Sequence, residues 1–194
     1  MFLPRRTLYH EGDENGFLLI ENIPYKNRRK LRKFFLRSIS SAREYVLIQN
    51  AYFLPDLFLL RRLKAAVKRG VRVCLLLNSE SDVTPVLYAT RALYEFLIPS
   101  GIEVHEFRSR FSHTKLSIID DVAYLGSSNL DPRSFFYNLE LDCRIEHPLA
   151  VQIFKEQFFL DLWEASPIRE EKWKKRPLVE RLKEKFFLLF RNYL

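Results

Sequence analysis

The chain has 194 residues, of which 47% are hydrophobic and 29% charged, a composition that indicates a folded domain and excludes a disordered chain. Its formal net charge of +8 indicates an anionic partner (nucleic acid, anionic lipid or a phosphorylated small molecule), unless the excess charge only confers solubility. No apolar run approaches the roughly 20 residues of a membrane-spanning helix, so we expect that the protein does not cross a membrane by itself.

Apolar patterning predicts strands and helices that alternate along the chain. Asp56 is the expected N-cap of the second helix and Gly70 its expected stop. The predicted strands cover 16–23, 45–55, 71–77, 101–107, 115–120, 122–127 and 138–146, and the predicted helices cover 27–45, 56–70, 81–97 and 148–163. This order predicts an α/β fold in which helices cover both faces of a mixed β-sheet, within a single domain over residues 1–166.

Residues 167–194 form a separate basic tail. Leu178, Leu182, Phe186, Leu189 and Tyr193 would lie on one side of a helix, so we expect a C-terminal amphipathic helix. Such a helix could lie in a membrane interface, or it could pack on the domain's own core or on a second subunit, which is the more common arrangement.

The cysteines and histidines show no pattern of a disulfide or a metal site. Cys74 and Cys143 lie inside apolar runs and are interpreted as buried strand residues, which fits a reducing compartment. The four histidines lack the paired spacing of metal ligands, so no metal site is expected. The opening residues MFLPRRTLYHEGDENG turn polar at once, unlike a signal peptide, so we expect a cytoplasmic protein.

The segment HTKLSIIDDVAYLGSSNLDPRSFFYNLE, residues 113–140, carries the groups that could surround a phosphodiester. A neutral imidazole at His113 is a good nucleophile at phosphorus, and Lys115 would project from the same face of an extended chain. Lys115 and Asn129 could bind the non-bridging oxygens, while Glu140 is the candidate carboxylate for the far ring nitrogen of His113. Gly126 would let the following backbone approach an oxyanion, and Ser127 would add a hydroxyl.

His113-Thr114-Lys115, four residues, Asp120, and then Gly126-Ser127-Ser128-Asn129 resemble the HKD signature of the phospholipase D superfamily. The segments IQNAYFLPD, AAVKRGVRVCLLL, SDVTPVLYATRALYEFLIPSGIEVHEF and NLDPRSFFYNLE resemble the C-terminal catalytic half of bacterial cardiolipin synthases, as do FFLDLW and RPLVERLKE. The resemblance begins at about residue 17 and covers nearly the whole remaining chain. Five residues separate Asp120 from Gly126 where the family pattern usually has six. A two-residue hairpin turn would absorb the difference, whereas a shift of register would separate these residues from His113.

The resemblance implies a phospholipase D-like half and a phosphatidyltransferase that needs no metal or other cofactor. His113 would form a phosphohistidine or act as the general acid, assisted by Lys115, Asn129 and Ser127, with Glu140 orienting the ring. Asp120 completes the HKD set, although a residue at a hairpin turn is more often structural. The implied catalytic residues are His113, Lys115, Asp120, Asn129 and Glu140, and the implied substrate-binding residues are Gly126, Ser127 and Tyr52.

The motif occurs once, although displacement at phosphorus needs a nucleophile on one side and a proton donor on the other. The chain is therefore expected to pair with a second copy of itself or with a separately encoded first HKD half, or else to be an inactive half-domain or subunit. The expected substrate is an anionic phospholipid such as phosphatidylglycerol. The alternative is an endonuclease that acts as a homodimer.

Two further features favour a site at a membrane surface. Tyr52 and Phe53, after the predicted strand at 45–55, would line the site unless they only pack in the core. Seven basic residues and no acidic one between Lys26 and Arg37 could hold the protein on anionic lipid at about 1 kcal/mol per charge, or could bind nucleic acid under the alternative. The expected location is cytoplasmic and peripheral, on the inner face of the cell membrane.

Overall fold

The computed structural model describes residues 15–23, 30–107 and 110–191. Several sequence predictions lie outside these residues: the opening segment, the start of the first helix at Asn27, the basic residues Lys26, Arg28 and Arg29, and Tyr193 of the C-terminal stripe.

The described residues contain eight strands, which form one mixed sheet. The strands are β1 (Phe17–Asn22), β2 (Tyr45–Asn50), β3 (Arg72–Asn78), β4 (Glu103–Phe107), β5 (Lys115–Ile119), β6 (Val122–Gly126), β7 (Glu140–Ile145) and β8 (Ala165–Pro167). Their order is β1-β7-β6-β5-β2-β3-β4-β8. β2, β3 and β4 are parallel, and every other neighbouring pair is antiparallel. The predicted mixed sheet is therefore confirmed.

Helices cover both faces of this sheet, as predicted. They are α1 (Lys30–Ser41), α2 (Leu57–Lys68), α3 (Thr84–Leu97), α4 (Pro132–Phe136), α5 (Pro148–Trp163), α6 (Glu170–Lys174) and α7 (Leu178–Leu189). α1, α2 and α3 bury residues such as Phe35, Leu63 and Leu93 against one face, and α5 buries Val151 and Phe158 against the other. Because β2 and β3 are covered on both sides, they read as continuous apolar runs. No helix in the described residues is long and apolar enough to cross a bilayer.

The helix signals in the sequence have direct structural counterparts. Asp56 caps α2 by accepting a hydrogen bond from the Leu59 backbone N–H at 2.9 Å. Gly70 follows the end of α2 with a φ of 89°, a conformation that glycine adopts at little cost. The third helix begins at Thr84 rather than at Ser81 or Asp82, because the Ser81 hydroxyl holds the Val83 backbone N–H in a turn.

Three elements were absent from the sequence prediction. α4 and α6 have five residues each, too short for a periodic pattern to identify. β8 has three residues and adds an antiparallel edge strand beside β4, with Phe107 opposite Ala165. The sheet therefore extends across residue 166, where the sequence places the end of the domain.

Candidate active site

Five strands bring their ends together at one edge of the sheet. The parallel strands β2 and β3 end there at Asn50 and Asn78. β5 is antiparallel to β2 and begins at the same edge, with Lys115 opposite Asn50. β6 ends there and β7 begins there, with Gly126 opposite Asp142. In open α/β sheets, ligand sites lie outside the carboxyl ends of the parallel strands, so this edge is the candidate site.

His113 and Lys115 meet at this edge. The Lys115 ammonium lies 3.3 Å from each ring nitrogen of His113 and donates to the His113 carbonyl oxygen at 3.0 Å. The Lys115 ammonium therefore lies directly beside the imidazole, where it can bind an anionic oxygen of a group that reacts with the ring. His113 is exposed, whereas Lys115 is only 9% exposed.

The charge of Lys115 is balanced by carboxylates around it. Burial lowers the pKa of Lys115, while the negative charges of Glu140, Asp131 and Asp142 oppose this decrease. These three carboxylates favour the charged ammonium, but burial outweighs them and the pKa of Lys115 stays below its ordinary value.

The loop that carries His113 is held by side chains from distant strands. Asn78 donates to the Ser112 carbonyl oxygen at 2.9 Å and accepts from the Ser112 backbone N–H at 2.9 Å. Gln49 donates to the Ser112 hydroxyl at 3.2 Å and to the Asp161 carboxylate at 2.9 Å. Asn78, Gln49 and Asp161 were absent from the predicted site. A polar residue at the end of an otherwise apolar strand is the signal that identifies Asn78 and Gln49.

Asn129 lies in the loop after β6, beside the end of β2. Its backbone N–H donates to the Ser134 hydroxyl at 3.1 Å, and the next backbone N–H, that of Leu130, donates to the Asn50 side chain at 3.2 Å. The side-chain oxygen of Asn129 is buried and has no hydrogen-bond partner among the described residues. Because buried polar atoms in folded proteins are nearly always paired, this oxygen is an unused acceptor for a donor group of a ligand, whereas an anionic oxygen would need the N–H groups of the same amide.

Glu140 contacts Ser127 and Asn138. The Ser127 hydroxyl donates to one carboxylate oxygen at 2.5 Å, and the Asn138 amide donates to the other at 3.2 Å. The Ser127 hydroxyl also accepts from the Leu141 backbone N–H at 2.9 Å. No hydrogen bond joins Glu140 to His113 in the described part of the chain, so the orienting role of Glu140 stays a prediction.

Gly126 has a packing role that differs from the predicted one. A Cβ atom at this position would lie 2.5 Å from the Leu141 carbonyl oxygen and 2.5 Å from the Asp142 Cα atom. The missing side chain therefore allows β7 to approach closely. No oxyanion contact is needed to explain this glycine.

Two aromatic rings flank the His113 imidazole. The Tyr52 ring is edge-on to it, with 6.3 Å between ring centroids, and the Phe111 ring is tilted, with 6.2 Å between centroids. The Tyr52 hydroxyl donates to the Asp82 carboxylate at 2.5 Å, and burial and this acceptor raise the pKa of Tyr52 to about 12. Tyr52 therefore lines the site as a neutral side chain.

Asp120 lies at the opposite edge of the sheet. The five residues of β5, about 16 Å of extended chain, separate it from the His113 loop. Its carboxylate accepts from the backbone N–H groups of Arg43, Glu44 and Tyr45 at 2.8, 3.0 and 3.0 Å. These contacts give Asp120 a structural role at the start of β2. The structure therefore does not support the prediction that Asp120 is a catalytic residue.

The shortened spacing between Asp120 and Gly126 is absorbed at this turn. Asp120 and Asp121 form a two-residue connection, since Ile119 pairs directly with Val122. Asp120 has a φ of 47°, a left-handed conformation that aspartate tolerates better than most residues. Leu116 remains opposite Leu125, so the register carries both strands to the site edge.

A cluster of possible metal ligands lies on β3 and β4, although no metal site was expected from the spacing of the histidines. Cys74, Glu103 and His105 come together on neighbouring strands, with ligand atoms within 4.8 Å of one another. Arg72 binds both oxygens of Glu103 at 2.8 Å, and burial raises the pKa of the Cys74 thiol to about 12. The ion pair with Arg72 accounts for the position of Glu103.

The basic surface of α1 is partly neutralised within the chain. The Arg32 guanidinium binds the Asp56 carboxylate at 2.7 Å and lies 5.5 Å from the Phe58 ring centroid. It therefore stabilises the contact between α1 and α2, while three of the seven predicted basic residues lie outside the described residues.

Comparison with known proteins identifies similar chains. The model of the family described as "Cardiolipin synthase, PLD-like domain" matches residues 35–163. The chain is 33% identical over 178 residues to a cardiolipin synthase of Geobacillus, covering 91% of this chain and 36% of that protein. It spans about a third of the length of the curated relatives that it matches.

Solved structures are similar in fold. Nuc, a phospholipase D family member from Salmonella typhimurium, superposes with a TM-score of 0.66 at 22% identity, over 79% of this chain and 99% of that one. The phosphatidylserine synthase of Haemophilus influenzae gives a TM-score of 0.68 at 17% identity, over 92% of this chain and 48% of that one.

Proposed function

Because the chain belongs to the cardiolipin synthase PLD-like domain family of the phospholipase D superfamily, we propose that it forms one half of a phosphatidyltransferase site. The reaction takes place at the phosphodiester of an anionic phospholipid such as phosphatidylglycerol. The contact between the Lys115 ammonium and the exposed His113 ring carries this proposal, since it joins a nucleophile to a binder of phosphoryl oxygens.

The proposed chemistry has two displacements. A ring nitrogen of His113 attacks phosphorus, the bond from phosphorus to the departing alcohol oxygen breaks, and a second histidine in its imidazolium form protonates that oxygen. An acceptor alcohol, or water, then attacks the phosphohistidine, loses its proton to the second imidazole and releases His113. Lys115 and the amide N–H groups of Asn129 bind the non-bridging oxygens, on which charge increases in each transition state. Ser127 assists them only when its single hydroxyl proton turns from Glu140 to the substrate.

The second imidazole must come from another HKD half. The described residues hold one HKD histidine, and the chain spans about a third of its curated relatives. We propose that a second copy related by a two-fold axis, or a separately encoded first half, supplies the missing side. A chain that remains alone would be an inactive half-domain.

Lipid is favoured over nucleic acid as the substrate. The curated relatives named above are cardiolipin synthases, and the aromatic rings of Tyr52 and Phe111 beside His113 suit an amphipathic molecule. The enzyme would act at the inner face of the cell membrane as a peripheral protein. The proposed catalytic half, assigned to residues 1–166 from the sequence, would extend to the end of β8 at Pro167, and the basic tail after it would be attached to this half.

The deciding experiment incubates the purified protein with labelled phosphatidylglycerol and, in parallel, with labelled DNA, while light scattering measures its molecular mass. We expect transfer from the lipid and an acid-labile phosphoprotein that the His113→Ala variant cannot form. His105→Ala, which changes a histidine on β4, separated from β5 by β2 and β3 in the sheet, is the matched control and should keep the label. Cleavage of DNA without turnover of lipid would replace this proposal with the endonuclease. Activity near wild type in His113→Ala would reject the nucleophile.

A further inference from the structure

The C-terminal helix α7 packs on α3 through ion pairs and through two half-buried apolar side chains, Phe187 and Leu188. Glu184 is only 3% exposed and pairs with Arg176 at 2.6 Å. Arg181 pairs with Glu95 of α3 at 3.0 Å. These ion pairs fix which side of α7 faces the protein.

The opposite side of α7 is apolar and faces outward. We call it the outward stripe; its members and exposures are Leu178 (67%), Val179 (61%), Leu182 (59%), Phe186 (55%), Leu189 (79%) and Phe190 (45%). An amphipathic helix in a globular protein normally buries its apolar side and exposes its charges. Contiguous apolar surface of this kind marks an interaction site.

We propose that the outward stripe docks α7 on the surface of an anionic lipid bilayer. The segment 170–191 carries eight basic and four acidic side chains, an excess of four positive charges, and five of the eight basic side chains are ion-paired within the chain. The excess positive charge complements anionic headgroups, whereas a two-fold contact between two such helices would bring like charges together. From Leu178 to Phe190 the stripe is about 18 Å long, which suits a helix that lies in the plane of the interface.

The direction of α7 relates the stripe to the active site. Phe187 stacks on Tyr88, near the start of α3, with 5.6 Å between ring centroids, whereas Arg181 pairs with Glu95 toward the end of α3. The two helices are therefore antiparallel. The start of α3 is the end that follows Asp82, the partner of Tyr52 beside His113. The C-terminal end of the stripe thus lies toward the end of α3 that borders the site.

This docking rests on the proposed function for its purpose, since it would bring a lipid phosphodiester to His113, but its test does not need turnover. The full chain is mixed with vesicles of phosphatidylglycerol or of phosphatidylcholine, and the bound fraction is measured by sedimentation. We expect binding to phosphatidylglycerol that weakens with salt and falls about tenfold or more in the variant Leu182→Glu/Phe186→Glu. Leu149→Glu/Leu160→Glu is the matched control, because both leucines are 64% exposed on α5, and it should bind like wild type.

Three further readouts separate the explanations. The milder pair Leu182→Gln/Phe186→Gln should also weaken binding, with unfolding curves like those of wild type. Equal binding by the stripe variants and wild type would overturn the docking, as would a stripe variant that only changes the molecular mass in light scattering. Turnover of soluble short-chain phosphatidylglycerol should survive in the stripe variants. If wild type binds vesicles but turns over neither vesicle nor short-chain phosphatidylglycerol, the docking stands and the proposed function fails for this chain as a homodimer.

Discussion

Replacement of Asp120 by alanine tests whether this HKD aspartate stabilises the fold or takes part in the chemistry. The carboxylate accepts three backbone N–H groups of the segment that begins β2. At an exposed to half-buried position each such bond contributes about 1 kcal/mol. Alanine would also have to adopt a φ of 47°, at a further cost of about 1 kcal/mol. We therefore expect Asp120→Ala to lower the free energy of unfolding by about 3 to 4 kcal/mol.

Two companion variants separate these contributions. Two of the three donors bind the same carboxylate oxygen, so Asp120→Asn keeps them and should cost about 1 kcal/mol. Asp120→Gly loses all three bonds but relieves the strain, for a cost of about 3 kcal/mol. Urea unfolding measures the free energies of unfolding of the three variants and hence their order of stability. Transfer from phosphatidylglycerol, assayed at urea concentrations below the unfolding transition, measures their activity. A folded Asp120→Asn protein without activity would contradict the structural role, as would an alanine variant of wild-type stability.

The remaining predictions concern the loop, the lysine and the glycine of the site. Asn78→Ala removes both hydrogen bonds to the Ser112 backbone, so kcat should fall about tenfold or more. Asn78→Asp keeps only the acceptor, so its kcat should lie between those of wild type and Asn78→Ala. Equal kcat in all three proteins would contradict this positioning. Burial lowers the pKa of Lys115, and the negative charge of Asp131 raises it. Asp131→Asn should therefore lower the pKa of Lys115 and move the alkaline decrease in activity to lower pH. Asparagine at this position can still cap α4. A shift to higher pH would refute this coupling. Gly126→Ala should lower the free energy of unfolding in urea by about 2 to 4 kcal/mol, because its Cβ would meet backbone atoms of β7. A variant as stable as wild type would show that β7 can move away.

The position of Lys115 beside His113 could be predicted from the sequence, because residues two apart in an extended chain project to the same side. The positions of Asn78 and Gln49 could not. Each ends or nearly ends an apolar strand, but their contacts with Ser112 cross 34 and 63 residues of chain. Only the order of the strands in the sheet brings such distant residues to one edge.

The sequence by itself determined the elements and the chemical groups: apolar periods of two and 3.6 residues specify strands and helices, and the HKD spacing specifies the groups at the site. Tertiary structure decided which of these groups meet and which sides of the helices are covered. It places Asp120 at the far edge from His113, and it turns the apolar side of α7 outward. The physical reason is that periodicity is a property of one segment, whereas burial depends on the partner surface. The surface of α3 presents Glu95 and Tyr88, which contact Arg181 and Phe187 of α7. These contacts turn the outward stripe away from α3, whereas an apolar partner surface would have buried it.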